Sequence, residues 1–230
     1  MSKQLNTLER RTIPCAFRIS SDTDKPVIYG YAAKFGVRSD DLGGWVEVIA
    51  PTAFDAHLAT NPDVRALFNH DANLILGRTS AGTLKVSKDD VGVGYEIDPP
   101  DTTAGRDLVT SMKRGDVKES SFGFMCQDAS WDYDEVKGID VRTVKQAQLT
   151  DVSPVVFPAY PQATSGVRSL PADMPLEVRS KIEKRDTESQ PTLRWEDTPD
   201  PAPKEVEIDA DRSWRENTAI RLRLAQHRAK

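Results

Sequence analysis

The architecture of this chain is most clearly indicated by residues 64–97, VRALFNHDANLILGRTSAGTLKVSKDDVGVGYEI. Short apolar and β-branched segments in this stretch are separated by the polar turns DAN, SAG and KDD. Runs of about 4–8 such residues between turn signals are typical of strands that pair with their neighbours. The stretch therefore favours an antiparallel sheet or barrel.

Further strands are predicted on both sides of this stretch, from β-branched and aromatic runs bounded by proline and polar turns. In chain order they are residues 12–20 and 27–35 as a hairpin or adjacent strands, residues 45–50 as a half-buried strand, a strand from residue 120, residues 131–144 as a hairpin, and residues 147–161 as a last β segment.

The clearest helix signal lies at residues 102–115. Apolar side chains recur there at helical intervals, a threonine that can act as N-cap precedes them (Thr102 or Thr103), and Gly115 follows a basic last turn. A shorter helical segment is predicted at residues 51–58, where a proline occupies the first turn.

The length of 230 residues suits one domain with an appendage. From about residue 169 the sequence is rich in charge and proline, and such a segment cannot bury enough apolar surface to offset its ordering entropy. We therefore predict a domain at residues 1–168 and a flexible, largely disordered tail at 169–230. Within the tail, a short helix is predicted near 174–185 and a terminal helical pattern includes Trp214.

The overall charge and the cysteine content exclude several classes of partner. A net charge of −5 would repel phosphate, so neither nucleic acid nor an anionic membrane is an expected partner. The two cysteines, Cys15 and Cys126, are far apart and predict reduced thiols. No apolar run is long enough for a secretory signal or a membrane span, so the expected location is the cytoplasm of the cell that makes the protein.

The three histidines differ in their sequence context. His57 follows a helical segment and His227 lies in the basic tail, as expected of solvated surface residues. His70 ends the apolar run ALFNH before a turn, and a strand end would hold an imidazole on a rigid element while leaving one edge open to a substrate. A histidine with a purely structural hydrogen bond is the alternative for His70.

A serine hydroxyl needs a neighbouring base to become nucleophilic near pH 7, and histidine is the usual one. The segment KRGDVKESSFGF at residues 113–124 places Ser120 and Ser121 at the start of a strand. Ser121 and Gly123 would share one face of this strand, with two phenylalanines on the other. The pattern fits either a nucleophilic serine or a pair of structural serines at a sheet edge.

The carboxylate that stands out is Asp151, because it lies within the mostly apolar strand LTDVSPVVF. A buried carboxylate without a partner is costly, so a partner is expected. Pairing with His70 would orient the imidazole as in a catalytic triad. Pairing with an arginine, Arg78 or Arg142, is the structural alternative.

Other carboxylates and motifs indicate less. Asp71 directly follows His70, and Glu119 directly precedes Ser120. Sequence neighbours on a strand point to opposite faces, so these two acids are weaker candidates for the carboxylate. The chain contains no GxxxxGK[ST], GxSxG or HExxH motif, and its histidines and cysteines are too few for a zinc cluster. We therefore expect neither a metal nor a cofactor.

A set of segments follows in order over roughly residues 10–165: GYAAKFG, EVIAPTAF, ALFNHD with LGRT and GTL, PPDTTAGRDLVTSMKRGDV, SSFGF and LTDVSPVVFPAYP. In this ordered set the chain resembles the prohead serine protease family of tailed bacteriophages. The resemblance implies that His70 is the catalytic base and Ser121 the nucleophile, with Ser120 the less favoured neighbour. It also implies that Asp151 is the third member of the triad.

The resemblance further implies the fold of herpesvirus assemblin, an α+β fold with an antiparallel β-barrel of about seven strands flanked by helices. It implies an endopeptidase that cleaves scaffold protein, or a scaffolding segment of the major capsid protein, inside the assembling prohead of the bacterial host. Eventual self-cleavage is part of that expectation. Self-association as a dimer follows by analogy with assemblin.

Two other classes of function stay open beside this one. A non-catalytic scaffold or capsid-assembly protein with the same fold would need no reactive Ser121. A hydrolase of small esters would use Ser121 but leave capsid protein intact. Both alternatives give different products from a protease when the capsid protein is present.

Overall fold

The computed structural model describes residues 7–14, 18–19, 25–157 and 170–188. These residues form ten strands and three α-helices. The strands are β1 (Leu8–Pro14), β2 (Arg18–Ile19), β3 (Ile28–Lys34), β4 (Trp45–Ile49), β5 (Arg65–Phe68), β6 (Asp71–Arg78), β7 (Leu84–Lys88), β8 (Gly92–Ile97), β9 (Glu119–Asp134) and β10 (Ile139–Val155). The helices are α1 (Asp55–Leu58), α2 (Thr103–Arg114) and α3 (Leu176–Glu188).

The larger of the two sheets has six strands and is built around the long antiparallel pair β9 and β10. Its strand order is β1-β9-β10-β5-β6, and β4 pairs with the first part of β10. The smaller sheet has the order β2-β3-β8-β7. Apolar side chains of both sheets and of α2 form one continuous buried cluster, which includes Phe122 and Phe124 of β9 and Leu108 of α2.

The predicted antiparallel barrel of about seven strands flanked by helices is confirmed as a mostly β structure with few helices, but two of its strand pairings are parallel. The described residues form a mostly β structure with a curled, half-barrel sheet, in which β1 and β6 are edges that do not pair with each other. Both β4 and β5 run parallel to β10, at opposite ends of that long strand. Register shifts along the β9–β10 pair at Gln146 and before Asp151 bend the sheet, since β-bulges increase local twist.

The strand β4 also differs from the half-buried strand that the sequence predicts. Four of its five residues are buried, and Val48 is the exception. A strand that pairs in parallel and is covered on both faces loses its polar face. Here the only charged residue, Glu47, is buried because two arginines neutralise it.

The helix α2 confirms the sequence prediction in detail. The Thr102 side chain accepts a hydrogen bond from the backbone N–H of Gly105, and Gly115 takes a left-handed conformation with φ of 85°. Leu108, Val109 and Met112 are its buried face. Among the described residues, no helix is long and apolar enough to span a membrane.

The structure corrects part of the predicted tail. Residues 170–188, assigned to the tail from the sequence, pack on the larger sheet: Met174, Val178 and Ile182 are buried against Trp45. The helix predicted near 174–185 is confirmed as α3. The division after residue 168 otherwise stays a prediction, and residues 189–230, with Trp214, lie outside the described residues.

A buried charge cluster fixes this docked segment to the sheet. Arg142 of β10 is fully buried, and its guanidinium contacts Glu9 of β1 at 2.7 Å, Glu47 of β4 at 2.8 Å and Asp173 at 2.6 Å. Burial lowers the pKa of Arg142, but the surrounding carboxylates outweigh that effect and raise it above its ordinary value. The cluster therefore joins β1, β4, β10 and the segment before α3 through one permanent positive charge.

The stability of truncated chains distinguishes the predicted domain end, at residue 168, from the end at residue 188 that the packing of α3 indicates. We expect residues 1–188 to unfold in urea as the full chain does, and residues 1–168 to be less stable by at least about 2 kcal/mol, since each buried aliphatic side chain contributes about 1.5–3 kcal/mol. Equal stability of the two truncated chains would show that residues 170–188 do not contribute to the folded domain.

Candidate active site

His70 lies in a tight turn and not at a strand end. The two residues between β5 and β6 are Asn69 and His70, with φ of 54° and 58°. Two-residue hairpin turns of type I′ require positive φ at both positions, which asparagine tolerates and histidine rarely adopts. Such a conformation costs about 1–3 kcal/mol and persists only where the surroundings enforce it.

The end of β10 enforces this turn. The backbone N–H of Asn69 donates to the carbonyl oxygen of Pro154 at 3.0 Å, and the Asn69 side-chain oxygen accepts the N–H of Val156 at 2.9 Å. These bonds tie the turn to the strand that carries Asp151. The imidazole of His70 is thereby held in place beside β10.

Ser121 lies on β9, where the alternation of side chains is as the sequence predicts. Phe122 and Phe124 point into the core and stack at a centroid distance of 5.3 Å. On the opposite face, two rows of paired residues cross the sheet from β1 through β9 to β10. The rows are Thr12, Ser121 and Ser153, and Arg10, Gly123 and Asp151.

A continuous chain of short hydrogen bonds joins the three predicted site residues. The His70 Nε2 lies 2.6 Å from the Ser121 Oγ, and the His70 Nδ1 lies 2.6 Å from the Asp151 Oδ2. In this arrangement Nδ1 carries the proton donated to Asp151, and Nε2 is free to accept the hydroxyl proton of Ser121.

The Ser121 hydroxyl has a second acceptor within reach. The Ser121 side chain is almost fully buried, and its Oγ also lies 3.0 Å from the carbonyl oxygen of Arg11 on β1. A hydroxyl has one proton, so it can donate to the imidazole or to this carbonyl, but not fully to both. Proton transfer to His70 requires the first of these orientations.

The carboxylate of Asp151 is ionised and closely confined. Burial acts to raise the pKa of Asp151, but the hydrogen bonds from His70 and Ser153 outweigh it, so the pKa lies below its ordinary value of 3.8. Gly123 provides the space for this side chain: a Cβ atom at that position would lie close enough to Asp151 Oδ1 and Thr150 Oγ1 to clash with both.

The alternative partners of Asp151 are engaged elsewhere. Arg78 pairs with Asp63, and Arg142 is held in the buried cluster described above. The Asp71 side chain accepts the backbone N–H of Asn73, two residues on. Ser120 is fully buried on the other face of β9, where its hydroxyl lies 2.9 Å from the Tyr95 hydroxyl. Of the candidate hydroxyls, acids and bases that the sequence indicates, the structure brings together Ser121, His70 and Asp151.

The remaining histidines and cysteines lie away from this chain of contacts. His57 is half-buried, with Nε2 2.9 Å from the carbonyl oxygen of Leu149, so it is not the solvated residue that the sequence indicates. Burial raises the pKa of the Cys126 thiol to about 12, which makes it unreactive. Cys15 and His227 lie outside the described residues. Within the described ranges, no cluster of three or more histidine, cysteine or acidic residues is arranged to hold a metal ion.

Two residues that contribute to the site were not identified from the sequence. Ser153 lies two positions after Asp151 and therefore on the same face of β10, but within a segment whose composition indicates only an apolar strand. Asn69 precedes His70, and an asparagine before a residue of positive φ is a turn signal. Both signals are present in the sequence, but neither indicates which site they serve.

A serine, a histidine and a carboxylate joined in this order are the arrangement by which serine hydrolases activate their nucleophile. The family model for Caudovirus prohead serine protease matches residues 15–173, more than half of the chain, and the chain belongs to this family. It is therefore a protease of capsid maturation. No curated protein matches the chain. Among solved structures it is similar to the capsid assembly protease of bacteriophage T4, with 13% identity, a TM-score of 0.46 and coverage of 64% of this chain and 96% of that chain.

Proposed function

We propose that this protein is a serine endopeptidase in which Ser121 is the nucleophile, His70 the general base and Asp151 the group that orients His70. The observation that carries the proposal is the unbroken chain from Ser121 Oγ through both nitrogens of His70 to Asp151 Oδ2, with both contacts at 2.6 Å. The ionised state of Asp151 supports it, because an anion there stabilises the imidazolium that forms during the reaction.

The proposed reaction is acyl transfer in two steps. His70 Nε2 takes the hydroxyl proton as Ser121 Oγ bonds to the scissile carbonyl carbon, and main-chain N–H groups are the expected donors to the resulting oxyanion. His70 then gives its proton to the leaving amine, and the peptide C–N bond breaks. A water molecule, deprotonated by the same nitrogen, then bonds to the acyl carbon, and the bond from that carbon to Ser121 Oγ breaks as His70 returns the proton to Oγ, which releases a carboxylic acid.

The proposed substrates follow from the family and not from the site geometry. They are a scaffold protein, or a scaffolding segment of the major capsid protein, within the assembling prohead of the bacterial host, and the protease itself. Self-association as a dimer is proposed with them. Sedimentation of the purified chain at several concentrations tests the dimer separately from the chemistry.

Co-expression with the major capsid protein of the same phage tests the proposed activity. We expect the intact masses of the products to show cleavage with the wild type and with Ser120→Ala, and none with Ser121→Ala. Ser120→Ala is a matched control, because it removes the same atoms from a neighbouring buried serine.

Each alternative gives a different result in this experiment. Cleavage that persists with Ser121→Ala would overturn the proposed nucleophile. Unchanged prohead maturation without any cleavage would favour the non-catalytic assembly protein. Reaction of Ser121 with a small ester, with the capsid protein left intact, would favour the ester hydrolase.

Gly123→Ala should slow the enzyme strongly without unfolding it. A methyl group there would displace the Asp151 carboxylate, which is the movable end of a side chain, whereas the backbone can stay in place. A misplacement of about 1 Å in a catalytic group costs on the order of 10²-fold in rate. We expect that loss in the rate at which a fluorophosphonate labels Ser121 in the presence of co-expressed capsid protein.

The control for this variant is Gly94→Ala on β8. The nearest atom to a Cβ at Gly94 is the Ser87 Oγ at 3.7 Å, so this methyl group fits. Equal labelling rates for the two variants would show that the space at Gly123 is not needed by Asp151.

A further inference from the structure

A buried serine without a role in the proposed reaction lies against the triad. Ser153 of β10 is fully buried, and its Oγ lies 2.9 Å from the Asp151 Oδ2 and 3.3 Å from the His70 Nδ1. The oxygen that it contacts is the one that accepts the proton of His70 Nδ1. Ser153 therefore touches both members of the pair that must keep its geometry while Ser121 reacts.

The Ser153 hydroxyl is a hydrogen-bond donor to Asp151. An ionised carboxylate only accepts, so the single hydroxyl proton of Ser153 is donated to Asp151. The Nδ1–H of His70 then faces Asp151 Oδ2 as its main acceptor and the oxygen of Ser153 as a longer, secondary one. Both contacts favour the tautomer in which Nδ1 carries the proton and Nε2 is free.

The position of Ser153 is set by the sheet and not by a flexible loop. Ser153 pairs across the strands with Ser121, and Asp151 pairs with Gly123. Among the described residues, the one hydrogen bond to the other oxygen of Asp151 is the 3.4 Å contact with the Thr150 hydroxyl. The bond from Ser153 is therefore the principal constraint on rotation of the carboxylate, apart from His70 itself.

We infer that Ser153 is a positioning residue of the proposed triad, which holds the Asp151 carboxylate in the orientation that binds His70 Nδ1. The inference rests on the proposed function, because positioning matters to the rate only if Ser121 is the nucleophile. Ser153 acts through Asp151, because its hydroxyl is bonded to that carboxylate and takes no part in the bonds that form and break at Ser121.

The first test is the saturating rate at which a fluorophosphonate labels Ser121, with the capsid protein co-expressed. Ser153→Ala removes a hydrogen bond to a charged group, and we expect this loss to lower the labelling rate about tenfold. The probe concentration at half-saturation should stay unchanged, because the Ser153 side chain is fully buried. Ser120→Ala again serves as control, since it removes a hydroxyl of equal burial whose partner is Tyr95.

The second readout is the proton resonance of His70 Nδ1–H, which reports its hydrogen bond directly. We expect a far-downfield resonance in the wild type and in Ser120→Ala, a shifted or broadened one in Ser153→Ala, and its recovery in Ser153→Thr, which keeps the hydroxyl. If Ser153→Ala matches Ser120→Ala in both readouts, the inference is wrong. If the wild type does not label Ser121, the proposed nucleophile is wrong, and the resonance alone decides whether Ser153 positions the pair.

Discussion

Asp151→Asn is expected to lower the rate of Ser121 labelling by about 10⁴-fold while leaving the fold intact. An amide has nearly the shape of a carboxylate, so the space beside Gly123 is still filled. Its NH₂ group, however, can donate to His70 Nδ1 and so favour the tautomer that places the proton on Nε2. The imidazole would then be unable to accept the proton of Ser121. The labelling rate and the circular dichroism spectrum together measure this effect.

Asp71→Asn is the matched control for this variant. Asp71 is the residue after His70, and its side chain binds the turn at Asn73 and not the imidazole. We expect its labelling rate to stay within about twofold of the wild type, as for a surface substitution. A large loss with Asp71→Asn and a small one with Asp151→Asn would reverse the assignment of the orienting carboxylate.

Arg142→Met should lower the free energy of unfolding by about 3–5 kcal/mol, a large loss for a single substitution. Methionine fills a similar volume, but it leaves three carboxylates with one guanidinium: Arg11 still pairs with Glu9 and Glu47, and Asp173 loses its arginine. Breaking a buried ion pair by removing one partner is costly because the remaining charges stay buried. Urea unfolding of the full chain measures the loss.

The control for Arg142→Met is the same substitution at Arg38. Arg38 pairs with Asp134 at the surface, with more than a third of its side chain exposed. An exposed pair of this kind is worth about 0–1 kcal/mol. Equal losses for the two variants would mean that the buried cluster does not hold β1 and the segment before α3 to the sheet.

Features that depend on nearby residues could be predicted from the sequence. The helix α2 has its cap, its apolar spacing and its terminal glycine within about four turns of chain, so every signal is local. The alternation along β9 likewise places Ser121 opposite the two phenylalanines. The strand pairing is different. Residues 12–20 are predicted beside residues 27–35, and β2 does pair with β3, but β1 pairs with β9, more than a hundred residues away.

The same limit applies to the site. His70, Ser121 and Asp151 each fit a structural interpretation when taken alone, and their order within a family pattern selected them. The turn that holds His70 and the hydroxyl of Ser153 depend on contacts between β10 and residues far from it in sequence. Glu47 is the opposite case. A charged residue within a strand predicts a solvent-exposed face, but Glu47 is buried because Arg11 and Arg142 neutralise its charge.

The cluster around Arg142 has a consequence for an enzyme that is proposed to cut its own chain. Asp173 and the buried face of α3 attach residues 170–188 to the sheet through noncovalent contacts of their own. A single peptide bond broken between Phe157 and Leu170 would therefore give two polypeptides that stay together. Such a nicked molecule would keep its native mass in solution and separate into two fragments only under denaturing conditions.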